Sequence, residues 1–187
     1  VMLHVLLRES ENTFTPGALA GRLGYSAMTL TRAFDEIEAL RLGEAAAAGR
    51  ERRLCFLQDK RALWTQAEPR MRSPVIRRRF VRPLELGDAA LHAGLSALAE
   101  CSSLSPPEHP VFALGREEWK SLRRRKIVVE VADGEAPVYE LEVWSYRPAL
   151  LAANDRVDPL SLYLSLRHSG DERIESALNE AIRRLPW

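Results

Sequence analysis

The sequence predicts an α+β protein with two domains, and three observations point to this class. Residues 13–40 read as two short helices joined by a tight turn, and a β-hairpin pattern follows. Residues 138–144 alternate in polarity after a turn signal at 132–135, which indicates an antiparallel sheet with one wet face. Two further helical patterns then end the chain. We therefore expect a first domain at 1–68, an arginine-rich linker at 69–83 and an α+β domain at 84–187.

The two short helices carry their own start and stop signals. Thr15 is a suitable N-cap, and Pro16 occupies the first helical position, where a missing N–H costs nothing. Gly24 ends the first helix as a residue that tolerates positive φ, and Ser26 caps the second. The second helix, predicted at 26–40, has one apolar face, formed by Leu30, Ala33, Phe34, Ile37 and Leu40.

The opposite face of the second helix begins with Met28, Thr29 and Arg32. Small or flexible polar residues and a cation near a helix N-terminus suit a helix that enters a DNA major groove. The stretch LAGRLGYSAMTLTRAFDEIEAL resembles the helix-turn-helix of winged-helix bacterial transcriptional regulators of the MarR-like kind. A plain helical hairpin can show the same small residues. The resemblance implies that helix 26–40 recognises duplex DNA through Ser26 and those three residues.

Residues 44–57 predict a β-hairpin that would form the wing. The pair Gly49-Arg50 supplies the turn, and an apolar strand pattern follows it. Three arginines, Arg50, Arg52 and Arg53, would lie at 49–53 and contact the DNA backbone or reach a minor groove. The alternative is that these arginines are simply solvated.

Residues 69–83 contain six arginines and no acid. Three interpretations compete: a second contact to the DNA backbone, a linker whose cations meet an acidic domain, or a strand with Ile76 and Phe80 on its inner face. We favour a linker strand that also borders the DNA surface, with contacts from Arg77, Arg78 and Arg79.

Formal charge is unevenly distributed along the chain. Residues 1–83 hold 15 Lys and Arg against 9 Asp and Glu, whereas residues 84–187 hold 12 against 17. This asymmetry favours a polyanionic partner for the first part. The two cysteines lie in unrelated contexts, as expected for buried thiols in a reducing cytoplasm, and no apolar run approaches the length of a membrane span.

The second half predicts a buried helix over 84–98, strands at 111–114, 126–131 and 138–144, and helices that begin at Asp158 and Asp171. Its segments AGLSALAE, YELEVWSYRPALL and VDPLSLYLSLRHSGDERIESALNEAIRRLPW resemble the C-terminal region of some bacterial winged-helix regulators. Some of these are MarR-like, and others are the regulator half of abortive-infection-type toxin–antitoxin pairs. The resemblance implies a regulator architecture and names no ligand.

No residue constellation in the sequence indicates catalysis, a metal site or a cofactor. The four histidines are scattered, and Ser96 lacks the second glycine of a nucleophile elbow. Glu140 and Glu142 could place two carboxylates on one strand face, but an exposed acidic face is the favoured interpretation. We therefore expect a non-enzyme.

The sequence thus predicts a cytoplasmic regulator that binds double-stranded DNA sequence-specifically. A homodimer is expected where the operator is palindromic. The alternative is a protein-interaction module or antitoxin that binds a partner protein through the acidic C-terminal half.

Overall fold

The computed structural model describes residues 1–9, 11–49, 51–82, 86, 90–131, 138–152 and 154–187. Two compact units are present, one comprising Val1–Met71 with Trp187 and the other Arg72–Pro186. The described residues form eight α-helices and two β-sheets, so the chain belongs to the predicted α+β class.

The first unit combines four helices with a small antiparallel sheet. In chain order its elements are α1 (Met2–Arg8), β1 (Thr13–Phe14), α2 (Pro16–Leu23), α3 (Ala27–Ala39), β2 (Glu44–Ala48), β3 (Glu51–Cys55), α4 (Lys60–Ala67) and a 3₁₀ turn (Glu68–Arg70). Strand β3 lies between β1 and β2, with Glu44 opposite Cys55 and Phe14 opposite Leu54. The predicted hairpin pairing is therefore present.

The helix boundaries follow the local signals in the sequence. Thr15 Oγ1 accepts a hydrogen bond from the Ala18 N–H at 3.2 Å, and Gly24 adopts φ +69° at the end of α2. Ser26 Oγ accepts from the Thr29 N–H at 3.2 Å, which caps α3. These capping predictions are confirmed. The predicted apolar face of α3 is buried at Leu30, Phe34 and Ile37 and partly buried at its two other members.

The second unit is built on a four-stranded sheet with helices on both faces. Its elements are β4 (Val75–Val81), β5 (Leu91–His92), α5 (Gly94–Glu100), β6 (Val111–Gly115), α6 (Arg116–Arg124), β7 (Tyr139–Trp144), a 3₁₀ turn (Pro148–Leu150), α7 (Pro159–Leu166) and α8 (Glu172–Arg183). The strand order is β4-β7-β6-β5. Strand β7 runs antiparallel to β4 and parallel to β6, so the sheet is mixed and the prediction of an antiparallel sheet is wrong in this respect.

Strand β7 is central, and both of its faces are covered. Trp144 packs in a core with residues of α5, α7 and α8, whereas Leu141 and Val143 pack on the opposite face with Trp119 of α6. The expected wet face is therefore absent from this strand. Glu142, predicted to be exposed, is only 1% accessible.

Three other expectations differ from the structure. Residues 75–81 form an edge strand of the second sheet and not a linker, and Ile76 is exposed while Val81 is buried. Leu91 lies in a strand, so the helix predicted from residue 84 begins only at Gly94, where φ is +49°. Residues 126–131 contribute one bridge, between Glu130 and Val81, and no full strand. The turn predicted at 132–135 lies outside the described residues.

Candidate nucleic-acid interface

The N-terminal half of α3 presents the residues predicted to contact DNA. Ser26, Thr29 and Arg32 are exposed, and Met28 is 68% exposed. The Ser26 and Thr29 hydroxyl oxygens lie 2.9 Å apart, so both are fixed at the first turn. Because the other face of α3 is buried, these four side chains share the face that is open to a ligand.

The cation on this face is not neutralised within its own unit. In the described part of the chain, Arg32 makes no ion pair within 4 Å. Its guanidinium keeps all its donors for an external acceptor such as a phosphate or a base edge.

Arg52, predicted to contact DNA, is paired with two acids of its own unit. Its guanidinium donates to Asp35 Oδ1 and, at 2.9 Å, to Glu38 Oε2, both on the C-terminal half of α3. The hydrogen bond to Asp35 is the main cause of the raised pKa of Arg52. The Ala45 N–H donates to Glu38 Oε1 at 3.3 Å, so both strands of the hairpin are tied to α3. Arg52 therefore positions the hairpin and compensates two of the three acids of α3.

Arg53 is the arginine of the described hairpin that stays exposed. It pairs across the ladder with Ala46, and strand alternation sends its side chain away from the side of Arg52 and buried Leu54. Arg50 lies outside the described residues. Among the described residues, the hairpin thus contributes one exposed cation, Arg53, to the unit that carries Arg32.

The three consecutive arginines of β4 have separate environments. Arg78 Nη2 and Nε approach Glu142 Oε1 at 3.2 and 3.3 Å, and Arg78 Nε lies 3.3 Å from Glu140 Oε1. Arg79 Nε lies 3.3 Å from Glu130 Oε2. Arg77 is exposed and makes no ion pair in the part of the chain described. Only Arg77 of the three therefore has an uncommitted guanidinium.

Glu142 is a buried carboxylate that the sequence did not reveal as such. Its Oε1 accepts from Arg78, and its Oε2 accepts from Trp144 Nε1 at 3.0 Å. Burial raises the pKa of Glu142, although the indole and the guanidinium oppose the shift. An arginine facing an acid across two distant strands leaves no local sequence signal. With 1% accessibility, Glu142 is structural and does not form an open acidic pair with Glu140.

A second buried polar group ties α1 to α2. Glu9 Oε1 lies 2.7 Å from His4 Nε2 and 2.5 Å from Arg22 Nη1. The hydrogen bond from Arg22 is the largest cause that lowers the pKa of Glu9, while burial lowers the pKa of His4. These shifts favour an ionised Glu9 and a neutral His4 at neutral pH. The contact to Arg22 fixes the helix that precedes α3.

The excess of positive charge in residues 1–83 does not belong to the first structural unit alone. The unit boundary assigns the arginines of 72–82 to the second unit, which leaves the first with ten Lys and Arg against nine Asp and Glu. Residues 72–186 hold 17 of each sign. Neither unit is strongly charged as a whole, so local clusters decide which polyanions can bind.

Comparisons with models of known protein families, with curated proteins and with solved structures returned no match. The family resemblance therefore rests on the residues quoted above. Within the described ranges, no helix has the length and apolar character needed to cross a membrane, and no group of three or more metal-binding side chains comes together.

Proposed function

We propose that this protein is a sequence-specific duplex-DNA-binding regulator whose first unit is a winged helix-turn-helix. In this proposal α3 is the recognition helix and the β2–β3 hairpin is the wing. The proposal rests on the exposed N-terminal face of α3. There Thr29 and Arg32 follow a tight turn and the Ser26 cap, and Arg32 makes no ion pair among the described residues.

The shape of α3 suits a major groove. The helix has 13 residues, which corresponds to about 20 Å. Its N-terminal end carries the positive end of the helix dipole and therefore attracts phosphate. Arg32 can donate two hydrogen bonds to a guanine edge, and the exposed Met28 can contact a thymine methyl group.

Two of the three acids of α3 are compensated within the unit, whereas Glu36 is exposed and makes no ion pair among the described residues. Asp35 and Glu38 lie on the C-terminal half of the helix, and both accept from Arg52. Since a paired carboxylate repels phosphate less than an isolated one, Arg52 reduces the electrostatic cost of placing α3 near DNA. The wing would then add Arg53 and Arg50 as backbone contacts.

The number of available cations sets the expected salt dependence. If Arg53 and Arg50 each neutralise one phosphate, the first unit contributes a slope of about −1.8 to the fall of the logarithm of the binding constant with the logarithm of salt concentration. With so few phosphate contacts, the first unit depends on base contacts for its affinity, as expected of sequence-specific recognition.

The test begins with selection of preferred sequences from a random duplex library by the full-length chain. Fluorescence anisotropy then measures affinity for the selected duplex and for a scrambled duplex. We expect Arg32→Ala to weaken binding to the selected duplex by about 1–3 kcal/mol and to reduce discrimination at one base position. The matched control, Arg61→Ala, removes an exposed arginine of α4 and is expected to leave affinity unchanged.

Two results would contradict the proposal. One is the absence of any enriched sequence after selection. The other is an equal effect of Arg32→Ala and Arg61→Ala on affinity for the selected duplex, because α3 would then not contact the DNA.

A further inference from the structure

Two arginine-rich segments that are distant in sequence meet in the second unit. Arg79 of β4 and Arg123 of α6 both face the carboxylate of Glu130, with Nε–O distances of 3.3 and 3.6 Å. The single carboxylate of Glu130 therefore lies near two guanidinium groups, so it neutralises one of these two positive charges.

Backbone pairing causes this meeting. The Val131 N–H donates to the Phe80 carbonyl at 2.9 Å, and the Arg82 N–H donates to the Val129 carbonyl at 3.0 Å. This places Glu130 opposite Val81 at the end of β4. The chain reaches residue 129 directly from the end of α6, so Arg123 of this helix and Arg79 of β4 meet at the same carboxylate.

We define the α6 patch as Arg79 and Arg82 near the end of β4, the cations of the C-terminal half of α6, and those of the turn that follows α6. Its members are Arg79, Arg82, Lys120, Arg123, Arg124, Arg125 and Lys126.

Acids compensate only part of the α6 patch. Glu130 is shared as described, and Glu117 pairs with Lys120 at 2.7 Å. No described acid lies within ion-pair distance of Arg124, Arg125 or Lys126, and all three are exposed. Among the described residues the patch therefore has more cations than acids, which favours an anionic partner.

We propose that the α6 patch binds the phosphate backbone of duplex DNA without reading sequence. Protein–DNA interfaces are far more positively charged than protein–protein interfaces, whose cores contain arginine together with many aromatic residues and few other charges. Single-stranded nucleic acid is a poorer fit, because it requires exposed aromatic rings for stacking. Trp119, the aromatic residue of α6, is only 7% accessible.

Two exposed aliphatic residues border the patch. Ile127 and Val129 are 37% and 50% accessible, and they are the side chains that an acidic protein segment would use. The test below therefore includes an acidic polypeptide. The choice of duplex DNA rests on the proposed function, but the patch and α3 belong to different units and can fail separately.

The experiment compares two double variants of the full-length chain. Arg124→Gln with Arg125→Gln removes two patch cations that make no ion pair among the described residues, so the fold is retained. The control, Arg173→Gln with Arg183→Gln, removes two exposed arginines of α8. Anisotropy of a labelled 24-base-pair duplex lacking the selected site is measured from 50 to 200 mM NaCl.

The slope of the logarithm of the binding constant against the logarithm of salt concentration should be about 1.8 smaller in magnitude for the patch variant than for the parent. This difference corresponds to two lost phosphate contacts. Over this salt range the affinity of the parent chain then falls about 12-fold more than that of the variant. The α8 control is expected to match the parent. An unchanged slope in the patch variant overturns the proposal, and so does an equal decrease in both variants.

Competition and one further variant separate the other outcomes. Displacement of the duplex by poly-L-glutamate as effectively as by unlabelled duplex, at equal charge, would assign the patch to acidic proteins and overturn the proposal. Arg32→Ala is expected to keep the salt slope contributed by the patch. If selection finds no preferred sequence while the patch variant still lowers the slope, the proposed function of α3 fails and the inference about the patch stands.

Discussion

Removal of the Arg78 guanidinium is expected to destabilise the second unit through Glu142. Arg78→Met keeps an apolar stem but leaves the carboxylate of Glu142 with the Trp144 indole as its remaining hydrogen-bond donor. Removing one partner of a fully buried pair costs about 3–5 kcal/mol, whereas an exposed pair contributes about 0–1. Glu142 is 1% accessible, but the Arg78 side chain is 49% accessible, so we expect a loss of about 2 kcal/mol.

The loss is expected to depend on pH in a defined direction. Burial already raises the pKa of Glu142, and removing the guanidinium raises it further. A carboxyl whose folded pKa exceeds its unfolded pKa binds more protons in the folded state, so stability falls as pH rises through that interval. The difference between Arg78→Met and the parent should therefore be largest at neutral pH and should shrink toward pH 4.

Hydrogen exchange of the β7 amides measures this free energy, because β7 pairs directly with β4. Arg77→Met is the matched control, since Arg77 is exposed on the same strand, and we expect a change within about 0.5 kcal/mol. Adding Glu142→Gln to Arg78→Met should recover most of the loss, because a neutral amide needs no counter-charge. Equal effects of Arg77→Met and Arg78→Met, or no recovery with Glu142→Gln, would refute this reasoning.

Three further substitutions test single structural features. Arg52→Ala should cost about 1 kcal/mol because it releases the hairpin from two carboxylates of α3, whereas the exposed Arg53→Ala should change thermal stability little. Gly94→Ala should lower the free energy of urea unfolding by more than about 1 kcal/mol, since φ at this position is +49° and the new Cβ would lie 2.9 Å from a valine Cγ1 of β6. The control Gly21→Ala lies within α2, where a Cβ meets open space, and should stabilise the protein slightly. The Asp158→Asn variant should be at least as stable as the parent at pH 7, because asparagine keeps the α7 cap and removes a buried carboxyl group, the pKa of which is raised by burial. The Asp158→Ala variant lacks the cap and should have a lower melting temperature than Asp158→Asn.

Short-range signals explain what the sequence predicted correctly. Thr15, Ser26 and Asp158 each cap the expected helix, because a cap depends only on the next three residues. Gly24 adopts the expected left-handed conformation for the same local reason.

The errors arose where distant strands decide the environment. The alternation in 138–144 is typical of a half-buried strand, but α6 covers one face of β7 and other helices cover the second. Glu142 could not be recognised as buried, because its partner Arg78 is 64 residues away. The parallel pairing of β6 with β7 likewise depends on a crossover that periodicity does not encode.

The candidate interface was predictable only as a set of residue types. Local pattern indicated that Thr29 and Arg32 lie on the open face of α3, and both are exposed. It could not distinguish Arg52, which binds acids of α3, from its neighbour Arg53. Such a distinction requires the pairing of the hairpin against the helix.

Because β4 has three consecutive arginines, pairing of an arginine with Glu142 does not fix the register of β4 against β7. If β4 moved by one residue along β7, an arginine would still stand opposite Glu142, so the charged pair cannot specify the alignment. Val81 does fix the register, because it is fully buried and the same shift would turn it out of the core. The irregularity between Val75 and Arg77 marks the other end of the strand. Alignment of this edge strand is thus encoded by its aliphatic ends and not by its charged pair.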